Sequence, residues 1–267
     1  MKHIVMYSGG LGSWAAADRV IARHGVNDVT LLFCDTLIED ADLYRFLDET
    51  AADFGVPITR LVDGRTPWQV FRDERFLGNS RVDPCSRVLK RQISDRWLKD
   101  NCEPSETVVY VGIDWTEEHR FDDKSGGGLR PRRAADGWTY EAPLCEHPLF
   151  QKEDAFLRLR SRGIKFPRLY AQGFAHNNCG GWCIKGGHAA YALLWRTNPA
   201  LYLKNEAEEE SLRELLGDVS MMTDRSGDGK KKPLTMRAFR ERIASDGQYD
   251  LFDIGGCGCF VSEGSEP

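Results

Sequence analysis

The sequence lacks any hydrophobic run long enough to cross a membrane. A bilayer-spanning helix needs about 20 consecutive, mostly apolar residues, and no apolar stretch of this 267-residue chain approaches that length. The opening segment 1–7 is soon interrupted by Ser-Gly-Gly and is too short for a secretory signal peptide. We therefore expect a cytoplasmic protein without membrane contact.

An excess of positive charge is also missing. The 36 Lys and Arg residues are outnumbered by 41 Asp and Glu residues, which gives a formal net charge of -5. A protein that coats nucleic acid without specificity needs clustered basic side chains to contact phosphates, so the sequence argues against that class. Two short basic clusters remain, Arg130–Arg133 and Lys230–Lys232, in Gly-rich stretches that we interpret as loops. They are either solvated loop charges or contacts to nucleotide or nucleic-acid phosphates.

Cysteine, in contrast, is abundant for a cytosolic chain, with eight residues. Cytosolic thiols stay reduced, and closely spaced cysteines there suggest metal or redox chemistry. Two close pairs lie in Gly-bearing loops, Cys179 with Cys183 and Cys257 with Cys259. Thiolates favour Zn²⁺ or iron–sulfur over hard cations, and the spacing does not name the metal. Two alternatives remain for these pairs: they are redox-active thiols without a metal, or they have no special role. Cys34 and Cys102 are expected to be packing residues.

Apolar segments alternate with amphipathic helices over roughly the first 115 residues, a pattern typical of a parallel sheet covered by helices. The predicted strands are 4–7, 29–34, 58–62 and 108–112, and a helix is predicted over 87–99. These patterns predict an α/β fold with a doubly wound, mainly parallel sheet, helices on both faces and a smaller Cys-rich C-terminal part.

We place the nucleotide-binding core in residues 1–150 and a helical, Cys-rich part packed on it in residues 151–267. Further helices are expected over 152–162, 189–196 and 235–244, and loops over 121–137 and 221–233. The acidic stretch Glu206–Glu210 is predicted to be an exposed helix face.

A Gly-rich turn connects the first strand to the first helix, from Ser8 to Ser13. Glycine allows a positive φ and a close approach of the backbone to an anion. Successive backbone N–H groups and the positive N-terminal end of the following helix attract phosphate, and the Ser8 and Ser13 hydroxyls can donate hydrogen bonds. This turn predicts a phosphate site, although such turns also serve simple packing.

The turn resembles the Ser-Gly-Gly-x-x-Ser signature of PP-loop adenine-nucleotide enzymes, and it lacks the Lys of a Walker loop. Three later segments in the same order resemble the phosphoadenosine-phosphosulfate-reductase-like branch of the PP-loop adenine nucleotide alpha hydrolase superfamily. They are Phe33–Thr36, Val111–Asp114, and Tyr170–Phe174 followed by the Cys179–Cys183 pair. The resemblance spans roughly residues 3 to 190. Two positions depart from it: Gly12 stands where many members have Asp, and Asp114 stands where the usual residue is Arg.

The resemblance implies a PP-loop (HUP-like) fold that binds ATP or a related adenine nucleotide, with Mg²⁺ as a further candidate. The implied nucleotide-binding residues are Ser8, Gly9, Gly10, Gly12, Ser13, Asp35, Thr36 and Gly112, and Asp35 and Thr36 would lie beside the nucleoside. It also implies a [4Fe–4S] cluster, with Zn²⁺ as the alternative, held by four of the candidates Cys85, Cys179, Cys183, Cys257 and Cys259. Cys85, Ser13 and Lys90 are the candidate catalytic residues. His176 either lines a phosphate or sulfate pocket or is an ordinary polar loop residue.

The leading functional interpretation is ATP-dependent sulfur transfer, in which the enzyme adenylates an acceptor and releases pyrophosphate. The acceptor is a nucleic acid by analogy, and a sulfur donor or reductant protein and an oligomer are further candidate partners. The alternatives are a sulfonucleotide reductase and a non-catalytic nucleotide-binding accessory protein.

Overall fold

The structure, a computed structural model, describes residues 1–79, 82–123, 127–224, 232–245, 247–253 and 255. The strands are β1 (Lys2–Met6), β2 (Val29–Asp35), β3 (Ile58–Val62), β4 (Thr107–Tyr110), β5 (Thr139–Glu141), β6 (Met222–Asp224) and β7 (Lys232–Leu234). The helices are α1 (Leu11–His24), α2 (Ala41–Phe54), α3 (Pro67–Asp73), α4 (Pro84–Ser86), α5 (Ile93–Asn101), α6 (Glu118–Phe121), α7 (Leu129–Ala135), α8 (Lys152–Ser161), α9 (Arg168–Ala171), α10 (His188–Thr197), α11 (Pro199–Leu216) and α12 (Met236–Ala244). A π-helical stretch, Arg87–Gln92, joins α4 to α5 without a break.

Five strands form one parallel sheet in the order β3-β2-β1-β4-β5. Alternate residues of the central strands point to opposite faces. Val5 packs with α1, α2 and α8 on one face, whereas Ile4 and Met6 pack with α5, α6 and α7 on the other. The predicted α/β class, with a doubly wound parallel sheet and helices on both faces, is confirmed.

A second apolar core lies beside the sheet and is built mainly from the C-terminal half of the chain. It joins α3 to α10, α11 and α12, and we call it the C-terminal cluster. Trp182, Tyr191, Tyr202 and Phe239 are nearly or fully buried in it. Helix α8, in contrast, packs against α1 in the core of the sheet. The proposed domain boundary at residue 150 stays a prediction.

The loop predicted over 121–137 is wrong in part, because α7 forms within it. Pro131 occupies the first turn of that helix. Proline is tolerated there, because the backbone N–H groups of a first turn have no intrahelical acceptor. Leu129 is buried, and Arg133 pairs with Asp95 of α5 at 3.0 Å. The basic cluster Arg130–Arg133 is therefore helical, and Lys230 and Lys231 lie outside the described residues.

Two further predictions need correction. Glu206–Glu210 is not an exposed acidic face, because Glu206 and Glu209 are buried and partnered. Within 221–233, the predicted loop, β6 pairs antiparallel with β7; residues 225–231 lie outside the described part. Over the described residues, we find no helix with the length and hydropathy of a membrane span.

Candidate active site

The order of the strands creates a crevice at the carboxyl ends of β1 and β4. The chain leaves β1 toward β2 on one side, while β4 lies on the other side of β1. Open α/β sheets bind ligands at such a switch point. A cavity of about 140 Å³ lies there, and the turn after β1 and Gly112 after β4 line it.

The Ser8–Ser13 turn is shaped to expose the N-terminus of α1. Gly9 has φ 77°, and a Cβ on it would lie 3.0 Å from Leu43 Cγ. Gly10 is the N-cap of α1 without a capping side chain, and the first turn contains no acidic residue. Ser13 Oγ donates to the Gly10 carbonyl at 2.9 Å, and Ser8 Oγ donates to Ser13 Oγ at 3.3 Å. This helix end offers backbone N–H groups to an anion.

Gly12 and Gly112 allow the turn and the end of β4 to approach each other. A Cβ on Gly12 would lie 2.7 Å from the Gly112 carbonyl oxygen, and a Cβ on Gly112 would lie 2.6 Å from Ser13 N. An Asp at position 12 would collide with that backbone. In this chain, close packing against the backbone at Gly112 therefore requires Gly at position 12, where the PP-loop pattern often has Asp.

Three basic side chains line the same cavity. Lys90, in the π-helical stretch, is only 5% exposed. Arg120 reaches the cavity from α6 and donates to Glu117 Oε1 at 2.5 Å, and His176 enters from the segment before the cysteine pair. Asp114, where the related pattern has Arg, instead accepts from Thr116 N at 2.9 Å and caps a short turn.

Asn177 and Tyr170 attach the C-terminal half of the chain to the phosphate turn. Asn177 Nδ2 donates to the Gly9 carbonyl at 2.9 Å, and the Tyr170 hydroxyl accepts from Leu11 N at 3.1 Å. Asn177 is 1% exposed, and its Oδ1 has no hydrogen-bond partner in the part of the chain that the structure describes. A buried acceptor without a partner costs free energy, so this atom is suited to a donor group on a ligand.

The predicted nucleotide residues fall into two groups. Ser8, Gly10, Gly12, Ser13 and Gly112 line the cavity, whereas Gly9 does not. Asp35 and Thr36 do not line it.

Both of these residues are engaged within the protein. Asp35 Oδ1 accepts from Leu37 N at 2.7 Å and from the Tyr44 hydroxyl at 2.9 Å, and Arg60 forms an ion pair with the same carboxylate. Thr36 Oγ1 donates to Glu39 at 2.9 Å. Their predicted contact with the nucleoside stays a prediction.

The Cys179–Cys183 pair lies next to this site. Cys179, Gly180 and Gly181 all have positive φ, at 55°, 63° and 84°, and the tight turn returns the chain on itself. The hydrogen bond between the two thiols and burial both raise the pKa of Cys179, while the positive charge of Lys90 opposes that shift.

The remaining cysteines differ from this pair. Burial raises the pKa of Cys34 to about 12 and that of Cys145 to about 11, which makes both unsuited to act as nucleophiles. Cys85 is half-buried within the first turn of the α4 helix, rather than before the helix as the sequence suggests, and it packs against apolar neighbours.

The described residues contain no cluster of three or more potential metal ligands. Cys257 and Cys259 lie outside those residues. Gly255 forms an antiparallel bridge with Gly186, three positions after Cys183, so the described end of the tail lies beside the cysteine turn.

Asn177 and Tyr170 are the site residues whose roles sequence reasoning missed. Tyr170 lies in a motif that the resemblance identified, but nothing in that motif indicates a contact with the phosphate turn. The hydrogen bond of Asn177 joins residues 168 positions apart, a separation that no local pattern encodes.

No protein-family model matches the chain, and no curated protein matches it in sequence. Among solved structures, it is similar to the crystal structure of phosphoadenylyl-sulfate (PAPS) reductase from Candida auris, in its phosphate complex. The identity is 15%, the TM-score is 0.42, and the match covers 65% of this chain and 77% of that chain. A likeness at this level assigns no activity to the chain.

Proposed function

We propose that this protein is an enzyme of sulfur chemistry that depends on an adenine nucleotide. The observation that carries the proposal is the N-terminus of α1, where Gly10 supplies no capping side chain and where Lys90 and Arg120 line the same cavity. Dipole, backbone N–H groups and cationic side chains together favour a polyphosphate or phosphosulfate group. Asn177 Oδ1 is the acceptor available to a ligand hydroxyl or amine.

The first candidate reaction is ATP-dependent sulfur transfer. An acceptor oxygen attacks the α-phosphorus of ATP, and pyrophosphate leaves. A sulfur nucleophile then attacks the activated atom, and AMP leaves with the oxygen. The backbone N–H groups of the turn and Lys90 stabilise the charge that develops on the phosphates, which is electrostatic catalysis by prepositioned groups.

A divalent cation fits this site only in a limited way. Mg²⁺ is commonly held by one or two carboxylates together with substrate phosphates. Glu117 is the one carboxylate among the described lining residues, and it already accepts a hydrogen bond from Arg120. Glu117 would hold the ion, which would neutralise charge on the phosphates.

The second candidate is sulfonucleotide reduction, and the adjacent thiols of Cys179 and Cys183 favour it. A Cys183 thiolate attacks the sulfur of an adenylyl sulfate, so that an S-sulfocysteine forms and the nucleotide phosphate leaves. The Cys179 thiol then attacks the Cys183 sulfur, which forms a disulfide and releases sulfite after loss of a proton. An external dithiol restores the pair.

A metal centre is a further part of the proposal. Cys179 and Cys183 supply two adjacent sulfur ligands, and the bridge between Gly186 and Gly255 supports ligation by Cys257 and Cys259 as well. Cys85 is the fifth candidate. A [4Fe–4S] cluster at these thiolates would supply electron or sulfur chemistry, and Zn²⁺ would supply a structural link.

Product analysis separates the two reactions. The anaerobically purified protein is incubated with ATP, Mg²⁺, a sulfide donor and either tRNA or DNA, and pyrophosphate is measured. In parallel it is given adenylyl sulfate or its 3′-phosphorylated form with a dithiol, and sulfite is measured.

Pyrophosphate that appears only with an acceptor supports sulfur transfer, and sulfite supports reduction. Tight nucleotide binding with neither product contradicts both reactions and indicates a non-catalytic accessory protein.

A further inference from the structure

A second cavity, of about 280 Å³, adjoins the phosphate site. It lies between α10 and the segment 173–186. Its apolar walls come from Phe174, Ala189, Ala190 and Leu193. Its volume is near the lower end of the range for small-molecule sites, about 300–1,000 Å³, so it suits one compact group rather than a polypeptide segment.

The polar residues of this cavity connect it to the site already described. His176 and Asn178 line both cavities and form the wall that the two share. Cys183 lines only the second cavity. A group bound there lies next to Cys183 on one side and next to the phosphate site on the other.

Arg196 supplies a cation to the lining of this cavity. Its side chain is exposed, and it has no ion-pair or hydrogen-bond partner in the part of the chain that the structure describes. A planar guanidinium recognises phosphate through two parallel hydrogen bonds. The cavity therefore combines apolar walls with an available anion-binding group.

We propose that this second cavity binds the aromatic ring of a nucleotide, separate from the adenine nucleotide of the phosphate site, with its phosphate at Arg196. The walls offer aromatic and small aliphatic surface, which favours a flat ring over a branched or highly charged group. Because Cys183 lines the cavity, the bound ring lies beside this residue. Calling this ring the sulfur acceptor rests on the proposed function, whereas the binding itself does not.

Protection of Cys183 from alkylation tests the proposal without turnover. The protein is treated with iodoacetamide, and the rate of modification of the Cys183 peptide is followed by mass spectrometry. The probes are cytidine, cytidine monophosphate and ribose 5-phosphate. Cytidine has the ring but no phosphate, and ribose 5-phosphate has the phosphate but no ring.

We expect cytidine monophosphate to slow the modification most, cytidine to slow it at higher concentration, and ribose 5-phosphate to leave it unchanged. Arg196→Gln should weaken protection by the monophosphate about tenfold, through loss of a charge-assisted contact, and leave protection by cytidine unchanged.

The second measurement is ligand binding to a variant in which a larger side chain fills the cavity. Ala190→Phe places a ring in the cavity and should abolish calorimetric binding of cytidine monophosphate. Ala200→Phe, at an exposed position of α11 that does not line the cavity, is the matched control and should bind as the wild type does. Thermal unfolding and ATP binding of both variants establish that the fold and the first site are intact.

Two results would overturn the proposal: no protection by either ring compound, or unchanged binding of cytidine monophosphate to Ala190→Phe. Loss of pyrophosphate or sulfite formation would instead count against the proposed function and leave ring binding untouched.

Discussion

At the scale of single residues, the site depends on polar groups that are almost completely removed from water. Lys90 is 5% exposed and Asn177 is 1% exposed, yet both line the cavity at the carboxyl edge of the sheet. Burial strengthens the interaction of a cation with phosphate, because fewer water molecules screen it. The same burial makes the loss of such a group costly.

Lys90→Met should weaken ATP binding by about tenfold to a hundredfold, since a hydrogen bond to a charged group contributes roughly 1.5–3 kcal/mol. Lys204→Met removes an exposed lysine of α11 that does not line the cavity, and it should leave the affinity unchanged. Calorimetric titration with ATP measures both variants. Equal affinities for Lys90→Met and the wild type would remove Lys90 from the phosphate site.

The sequence predicts some of these residues and misses others for a physical reason. Ser8, Gly10 and Ser13 are predictable because the chemistry of the turn is local, and a Gly-rich turn between a strand and a helix favours an anion. Asp35 is a predicted ligand contact, but its carboxylate is engaged by Tyr44, Leu37 N and Arg60. Those partners come from separate elements, and no local pattern reveals that they meet.

At the scale of secondary-structure elements, buried carboxylates organise the C-terminal cluster. Glu206 of α11 accepts from Arg240 of α12 at 2.7 and 2.9 Å. Glu209, fully buried on the same helix, accepts from Met221 N at 3.0 Å and from Met236 N at 2.6 Å. One side chain therefore fixes both the chain entering β6 and the first turn of α12.

Glu209→Ala should lower the free energy of unfolding by about 2–5 kcal/mol, because two buried backbone N–H groups lose their acceptor. Glu214→Ala, an exposed position of the same helix, should change it by less than about 0.5 kcal/mol. Urea unfolding followed by circular dichroism measures the difference. Similar values for the two variants would contradict a capping role for Glu209.

Helix and strand positions follow from periodicity where one face is apolar. The prediction of β3 over 58–62 matches its bounds, and α8 and α12 fall within a residue of the expected segments. Periodicity misses α7, where a Gly-rich start and Pro131 resemble a loop. It also wrongly predicts that Glu206 and Glu209 are exposed, because a carboxylate in a helix is expected to face solvent unless its buried partners are known.

At the scale of the whole molecule, the topology brings distant segments to one edge of the sheet. The turn after β1, the end of β4, the π-helical stretch and the segment 170–178 all contribute to the cavity. The doubly wound sheet is predictable from the alternation of strands and helices. The attachment of segment 170–178 through Tyr170 and Asn177 is not, since it requires contacts across about 160 residues.

The central claim is that nucleotide phosphates bind the backbone N–H groups of the turn from Ser8 to Ser13. Hydrogen–deuterium exchange of this segment, read by mass spectrometry with and without ATP, tests it most directly. We predict slower amide exchange over 8–13 and 111–113 when ATP is added, with no change in the β6 segment 222–224. Unchanged exchange over 8–13 at an ATP concentration that saturates the protein would contradict the claim.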